Sequence, residues 1–74
     1  MPNCFNPQAI ARNVVLNRVR RGACHFGTAV ECVHLSDVGR LVSGYDTFSG
    51  MVADGTLALD AKGNLSIARA EVAA

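Results

Sequence analysis

The residues best suited to metal or nucleophile chemistry are a group of thiols and imidazoles in one short stretch. They are Cys24, His25, Cys32 and His34, with Cys4 farther off. Structural zinc sites commonly use C-x-x-C pairs, and the chain contains none. On a strand, Cys32 and His34 would share one face, so a site completed by Cys24 across a bend at Gly27 is one alternative. We expect instead two half-buried thiols and two surface imidazoles, with no metal and no cofactor.

The same residues do not predict a nucleophilic site. A catalytic thiolate needs a base within hydrogen-bond reach and donors that stabilise an oxyanion. Cys24 and His25 are neighbours on a predicted strand, where adjacent side chains point to opposite faces. The glycines are scattered and form no phosphate-binding loop. The sequence therefore predicts a protein that is not an enzyme.

Arginine is the other residue type whose placement could support a function. The first 25 residues contain no acid and hold four arginines, a net charge of +4: Arg12, Arg18, Arg20 and Arg21. Residues 26–74 hold three bases against six acids, a net charge of −3. Because the planar guanidinium fork suits carboxylates and phosphates, these arginines are the predicted partner-binding residues. The alternative is a solvated helix face, with the stem of Arg18 packed on the core.

An amphipathic helix is predicted to carry the arginines. Asn6 suits the N-cap, Pro7 suits the first helical position, and Gly22 suits the left-handed residue that closes a helix. The predicted helix runs from Gln8 to about Arg21. Its core-facing arc consists of Ile10, Ala11, Val14, Val15 and Val19, and Leu16 falls outside that arc.

The middle of the chain predicts one strand and two short helices. Residues 23–35 are rich in β-branched and aromatic types, which favours a strand bent at Gly27. Ser36 suits the N-cap of a helix over Asp37–Ser43. A third helix is predicted to follow, capped by Asp46 or Thr47, ended by Gly55, and carrying Phe48, Met51 and Val52 at helical spacing.

The last element is a predicted β-hairpin. TLALD and NLSIA alternate in polarity and are separated by Ala61-Lys62-Gly63, which suits a type I turn with a bulge. In that register Leu57, Leu59, Leu65 and Ile67 share the core face. The predicted buried residues of the domain are Val14, Phe48, Val52, Leu57, Leu59, Leu65 and Ile67.

Length and composition indicate one small globular domain spanning residues 1–74. Half of the 74 residues are hydrophobic and 18% are charged, while only 5% are aromatic, so the core must be aliphatic. Residues 1–5 are predicted to be a loose leader and residues 70–74 a frayed tail. The chain has neither a secretion signal nor an apolar run of membrane-spanning length, which favours a cytoplasmic protein with no membrane partner.

A helix, a strand, two helices and a hairpin follow each other in the order of a winged helix-turn-helix domain. LSDVGRLVSG is similar to the second helix of that family, YDTFSGMVADG to its third helix, and TLALDAKGNLSIA to its wing. The expected fold class is therefore α+β, a small single winged-helix-like domain. The resemblance implies DNA binding by the third helix and the wing, through Tyr45, Thr47, Ser49 and Lys62. The sequence departs from the family because residues 45–55 hold two aspartates and no lysine or arginine.

Two functions follow from these observations. The first is a small non-enzymatic regulator or inhibitor of the phage or mobile-element type, which binds an acidic protein surface; an anti-CRISPR-like inhibitor is one form of it. The second is a winged-helix transcriptional regulator that binds double-stranded DNA, with a homodimer as the expected assembly. The small size, the absence of a catalytic set and the acidic third helix favour the first.

Overall fold

A computed structural model describes residues 6–68, so the predicted leader, the predicted tail and Cys4 lie outside the described residues. The expected α+β fold class is confirmed. Within residues 6–68, three helices and three strands follow in the predicted order of helix, strand, helix, helix and hairpin.

The first helix, α1 (Pro7–Arg20), begins where the sequence predicts. The Asn6 side chain accepts a hydrogen bond from the Ala9 N–H at 3.2 Å, and Pro7 occupies the first turn. After Arg21 at the C-cap, Gly22 has a φ of +153°, a backbone angle that favours glycine. These local signals act within a few residues of each other, which is why they specify the helix ends correctly.

The buried face of α1 differs from the predicted arc. Leu16 is buried, whereas Ile10 is 37% exposed and Val14 is only partly buried. The fully packed residues of this helix are Ala11, Val15, Leu16 and Val19. At 100° per residue they cover an arc centred between Val15 and Leu16, on the side away from Ile10. The other two helices and the last strand pack against α1 and cover that arc.

The predicted long strand over residues 23–35 is wrong except at two residues. Only β1 (Cys24–His25) is extended, and α2 (Phe26–His34) follows directly. His25 caps this helix, since its Nδ1 accepts a hydrogen bond from the Gly27 N–H at 3.0 Å. Ala29 and Val33, four residues apart, are buried on one face of α2. Packing of that face overrides the strand preference of the individual residues.

The predicted helix over Asp37–Ser43 is also absent, and residues 35–43 form consecutive turns instead. Val38 is fully buried and anchors this segment to the core. Gly39 lies against the C-terminal end of α2, where a side chain would overlap the His34 carbonyl. Because residue 39 is a glycine, residues 35–43 can pass close to the end of α2.

The third helix, α3 (Gly44–Ala53), begins earlier than predicted. Ser43, and not Asp46 or Thr47, is the N-cap, and its Oγ accepts a hydrogen bond from the Asp46 N–H at 3.2 Å. Phe48 is buried as predicted, and Met51, which the predicted core did not include, is fully buried. The helices α2 and α3 pack against each other, and Gly44 lies at their contact. A Cβ added at Gly44 would lie only 2.9 Å from the Val30 carbonyl oxygen.

The hairpin consists of β2 (Leu57–Leu59) and β3 (Asn64–Ile67), and β3 lies between β1 and β2 in an antiparallel sheet. Its turn matches the prediction. The Asp60 carboxylate accepts the Lys62 and Asn64 N–H groups at 2.8 and 2.9 Å, and Gly63 has a φ of +87°.

Only half of the predicted core face of the hairpin is buried. Leu57 pairs with Ile67, and Leu59 pairs with Leu65, so the four side chains do share one face. Leu57 and Leu65 are buried, but Leu59 is 42% exposed and Ile67 is 37% exposed. The twist of a short sheet lets the helices cover one diagonal of such a face and leaves the other at the margin. The prediction that Leu59 and Ile67 are buried is therefore wrong, and Val52 is only partly buried.

Candidate functional site

The structure separates the four arginines predicted to bind a partner. Arg18, Arg20 and Arg21 lie together in the last turn of α1 and at its C-cap, and we call these three residues the arginine end. Arg12 lies six residues earlier, roughly 9 Å along the helix axis. Its Nη2 donates a hydrogen bond to Oδ2 of Asp54 at 2.7 Å, so this guanidinium stabilises the domain itself.

The arginine end sits at the negative pole of the α1 dipole, where positive charge is favoured. Arg18 is half-buried and donates through Nη1 to the Gly22 carbonyl at 3.3 Å, whereas Arg20 and Arg21 are exposed. After the arginine end the chain enters β1, which pairs with β3 through Cys24 and Leu65. The end of α1 therefore presents two exposed arginines and a half-buried third.

Asp54 at the C-cap of α3 holds three elements together through one carboxylate. Its Oδ1 accepts the Thr56 hydroxyl at 2.7 Å and the Thr56 N–H at 2.9 Å, while its Oδ2 accepts Arg12. The Thr56 hydroxyl first, and then the Arg12 guanidinium, hold the pKa of Asp54 well below its usual range. This junction fixes α1 against the end of α3 and the start of β2.

The four residues predicted to contact DNA are divided between α3 and the hairpin turn. Tyr45 and Ser49 are exposed one turn apart on α3, and Lys62 is exposed in the turn between β2 and β3. Thr47 is directed elsewhere, because its hydroxyl donates to the Ser43 carbonyl at 2.8 Å. Three of the four side chains are therefore available to a partner.

An aromatic row connects the hairpin turn to Tyr45. It consists of His25, Phe26, Tyr45 and Phe48. His25 stacks on Phe26 with ring centroids 4.4 Å apart, and Tyr45 meets Phe48 edge-on at 5.0 Å and Phe26 at 6.4 Å. At the other end of the row, Gly63 lies so close that an added Cβ would be 2.8 Å from Nε2 of His25. The exposed Tyr45 ring is thus held in place by two inner rings.

The cysteines and histidines do not converge. Cys24 is buried on β1, Cys32 is half-buried on α2, and His34 is exposed at the end of that helix. Two residues apart on a helix, Cys32 and His34 point about 200° apart, so the shared strand face considered above is wrong. Within residues 6–68, no three His, Cys, Asp or Glu side chains are grouped closely enough to hold a metal ion.

A groove of about 330 Å³ runs between α1 and α3. Its walls are formed by one face of each helix and by the turns that precede α3. The lining residues are Gln8, Arg12, Leu41, Val42, Ser43, Asp46, Thr47 and Gly50. Its volume is at the small end of the range for ligand sites. Sequence reasoning did not find this groove, because it depends on the packing of α1 beside α3; the one local signal was Gly50 inside a predicted helix.

Comparisons of the chain with protein-family models, curated proteins and solved structures find no match. None of the helices within residues 6–68 has the length and apolarity needed to span a membrane. On the described surface, the groups suited to molecular recognition are the arginine end, the anchored Tyr45 ring and the groove between α1 and α3.

Proposed function

We propose that this protein is a small non-enzymatic binding protein, a regulator or inhibitor of the phage or mobile-element type, that contacts an acidic protein surface through its arginine end. The observation that carries the proposal is the placement of Arg18, Arg20 and Arg21 at one end of α1, in a chain whose remainder is net negative. Such a cluster creates a local positive field that the total charge of +1 conceals. Arginine also combines apolar stem contacts with several hydrogen bonds, and it is enriched at interface hot spots.

The charge of α3 favours a protein partner over DNA. This helix carries Asp46 in its first turn and Asp54 at its C-cap, and it contains no lysine or arginine. A helix that enters a DNA groove normally carries donors for phosphates and base edges. Tyr45 is exposed on this helix and Leu41 is exposed just before it, and aromatic groups are enriched at protein interfaces.

The test replaces the two exposed arginines and measures binding to a synthetic poly-glutamate peptide, which mimics an acidic protein surface. The double substitution Arg20→Ala and Arg21→Ala should weaken binding at least about tenfold, which corresponds to about 1.4 kcal/mol. The free energy of unfolding should change by less than about 1 kcal/mol, because exposed charges contribute little to folding.

Arg40→Ala is the matched control, since it removes an exposed arginine from the turns before α3. This variant should bind the peptide as the parent protein does, apart from the small effect of one lost charge. Equal affinity of the parent and the double variant would show that the arginine end is only part of the scaffold.

DNA binding is the second candidate, favoured by the order of the elements along the chain. The winged-helix resemblance implies it, and Tyr45, Ser49 and Lys62 would be the contacts. A random DNA duplex titrated at low and moderate salt separates the two candidates. Affinity that falls steeply with salt, and that Lys62→Ala reduces, supports DNA binding. No binding at low salt supports the protein partner.

A further inference from the structure

We infer that the groove between α1 and α3 receives a basic side chain of a partner protein, with its charged head at Asp46 and its alkyl stem along Leu41 and Val42. This surface is separate from the arginine end and prefers the opposite charge. It therefore goes beyond the proposed function and shares with it only that the partner is a protein.

The groove has a net negative charge once its internal ion pair is counted. Its lining contains one cation, Arg12, and one anion, Asp46. Arg12 already pairs with the Asp54 carboxylate at 2.7 Å, so its charge is compensated within the fold. Among the described residues, the Asp46 carboxylate has no ion pair and accepts no hydrogen bond. Charge complementarity therefore favours a cationic occupant over a neutral or an anionic one.

The cation and the anion of the groove are held apart along α3. Asp46 lies in the first turn of this helix and Asp54 is its C-cap, so the two positions are separated by roughly 12 Å along the helix axis. The Arg12 guanidinium is held at the Asp54 end. Because this separation exceeds the Debye length of about 8 Å at physiological ionic strength, Arg12 does little to repel a cation that contacts Asp46.

The polar groups around Asp46 are mainly hydrogen-bond acceptors. The Thr47 hydroxyl donates its proton to the Ser43 carbonyl at 2.8 Å, so towards an occupant it can only accept. On the facing helix, the Gln8 side-chain amide has no partner within residues 6–68, and its oxygen is a further acceptor. Guanidinium and ammonium groups only donate hydrogen bonds, so the head of a basic side chain matches this set.

Two apolar residues beside Asp46 favour a basic side chain over a bare cation. Leu41 is 57% exposed and Val42 is half-buried, and both line the groove just before the N-cap of α3. Arginine and lysine bury their methylene stems on apolar surface while the charged head reaches a polar group. An inorganic cation at Asp46 would leave these two residues uncovered.

The experiment titrates ¹⁵N-labelled protein with the N-acetyl, N′-methylamide forms of arginine and citrulline. These probes share the stem and a planar head, and only the arginine head is charged. The arginine probe should give saturable shifts of the Gln8, Asp46 and Thr47 amide signals, with an affinity at least about threefold higher than that of the citrulline probe. No saturable shift at these positions, or equal affinity for the two probes, would overturn the assignment.

Asp46→Asn should remove the preference for arginine over citrulline. Asp37→Asn is the matched control, because it removes the same charge from an exposed turn residue outside the groove, and it should leave both affinities unchanged. Asp46 also lies at the positive pole of α3, where a carboxylate stabilises the helix. If that were its only role, Asp46→Asn would lower the melting temperature and keep the preference for arginine, which would overturn the inference.

Leu41→Ser tests the contact with the stem. It should weaken the arginine and citrulline probes to the same extent, by at least about twofold, because the two probes share the stem. Leu41 is exposed, so the fold should tolerate this change. Unchanged binding of both probes would overturn the placement of the stem along this residue.

The arginine end of a second copy is the basic occupant that this chain itself could supply. In that case the groove signals would shift with protein concentration in the absence of a probe, and Arg20→Ala with Arg21→Ala would abolish these shifts. Such a result would overturn the assignment to a different partner protein. Groove signals that do not depend on concentration, together with parental binding of the arginine probe by the double variant, would support the inference even if the arginine end failed its own test.

Discussion

Asp54 illustrates how one exposed side chain organises this small domain. Its backbone N–H caps the end of α3, while its carboxylate holds Thr56 at the start of the hairpin and pairs with Arg12 on α1. Thr56 is buried, and its hydroxyl and N–H both donate to Asp54. A buried hydroxyl without a partner is costly, so the carboxylate stabilises the hairpin as well as the helix pair.

The low pKa of Asp54 makes a prediction about acid stability. A carboxyl whose pKa is lower in the folded state contributes stability at pH values above its unfolded pKa of about 3.9, and loses it as the pH falls. Asp54→Asn should therefore flatten the fall in stability as the pH drops from about 5 to about 2. Urea unfolding midpoints across this range measure the slope.

Asp37→Asn is the control for this effect, because it removes the same charge from an exposed turn residue. It should keep the acid dependence of the parent protein. Some dependence will remain in Asp54→Asn, since backbone N–H groups, that of Asn64 foremost, also lower the pKa of Asp60. An unchanged slope in Asp54→Asn would contradict the role given to this carboxylate.

At the residue scale, the sequence predicts contacts that span few positions. Asn6 caps α1 through Ala9, and Asp60 and Gly63 form the hairpin turn as their types indicate. The Arg12–Asp54 pair joins residues 42 positions apart. A pair so far apart in the sequence cannot be predicted from neighbouring residues, so the sequence groups Arg12 with the other arginines as a partner-binding residue.

At the scale of elements, the segment from β1 to α3 shows where local preference fails. The β-branched residues of α2 predict a strand, but burial of Ala29 and Val33 on one face requires a helix. The true second helix therefore precedes the predicted one, and residues 35–43 become the connection to α3. The order of element types still matches the prediction, because α2 replaces the later part of the predicted strand and the predicted second helix becomes the connection to α3.

The hairpin offers a direct test of which diagonal of its inner face is in the core. Leu65→Ala removes a fully buried side chain and should destabilise the domain by about 2–5 kcal/mol. Leu59→Ala, at the paired position of β2, removes a side chain that is 42% exposed and should cost less than about 1.5 kcal/mol. Chemical denaturation of both variants measures the difference. Equal losses would mean that the helices cover the whole face.

At the scale of the whole molecule, the surfaces suited to binding lie where the packing leaves polar or aromatic groups exposed to solvent. The arginine end is visible in the sequence as a run of charge, so its position on α1 follows from the helix prediction. The groove is not visible there, because Gln8 and Gly50 become neighbours only when α1 packs beside α3. The sequence therefore predicts the charged surface and misses the concave one.

The final prediction concerns metal. We expect the purified, untagged protein to contain no stoichiometric zinc and to unfold at the same temperature with or without a chelator. In the described part of the chain, Cys24 is packed in the core, and Cys32 and His34 diverge on α2. A structural zinc contributes folding free energy directly, so its removal would unfold so small a domain. Elemental analysis that finds one zinc per chain, together with unfolding by the chelator, would contradict this expectation and require Cys24, Cys32 and His34 to act as ligands.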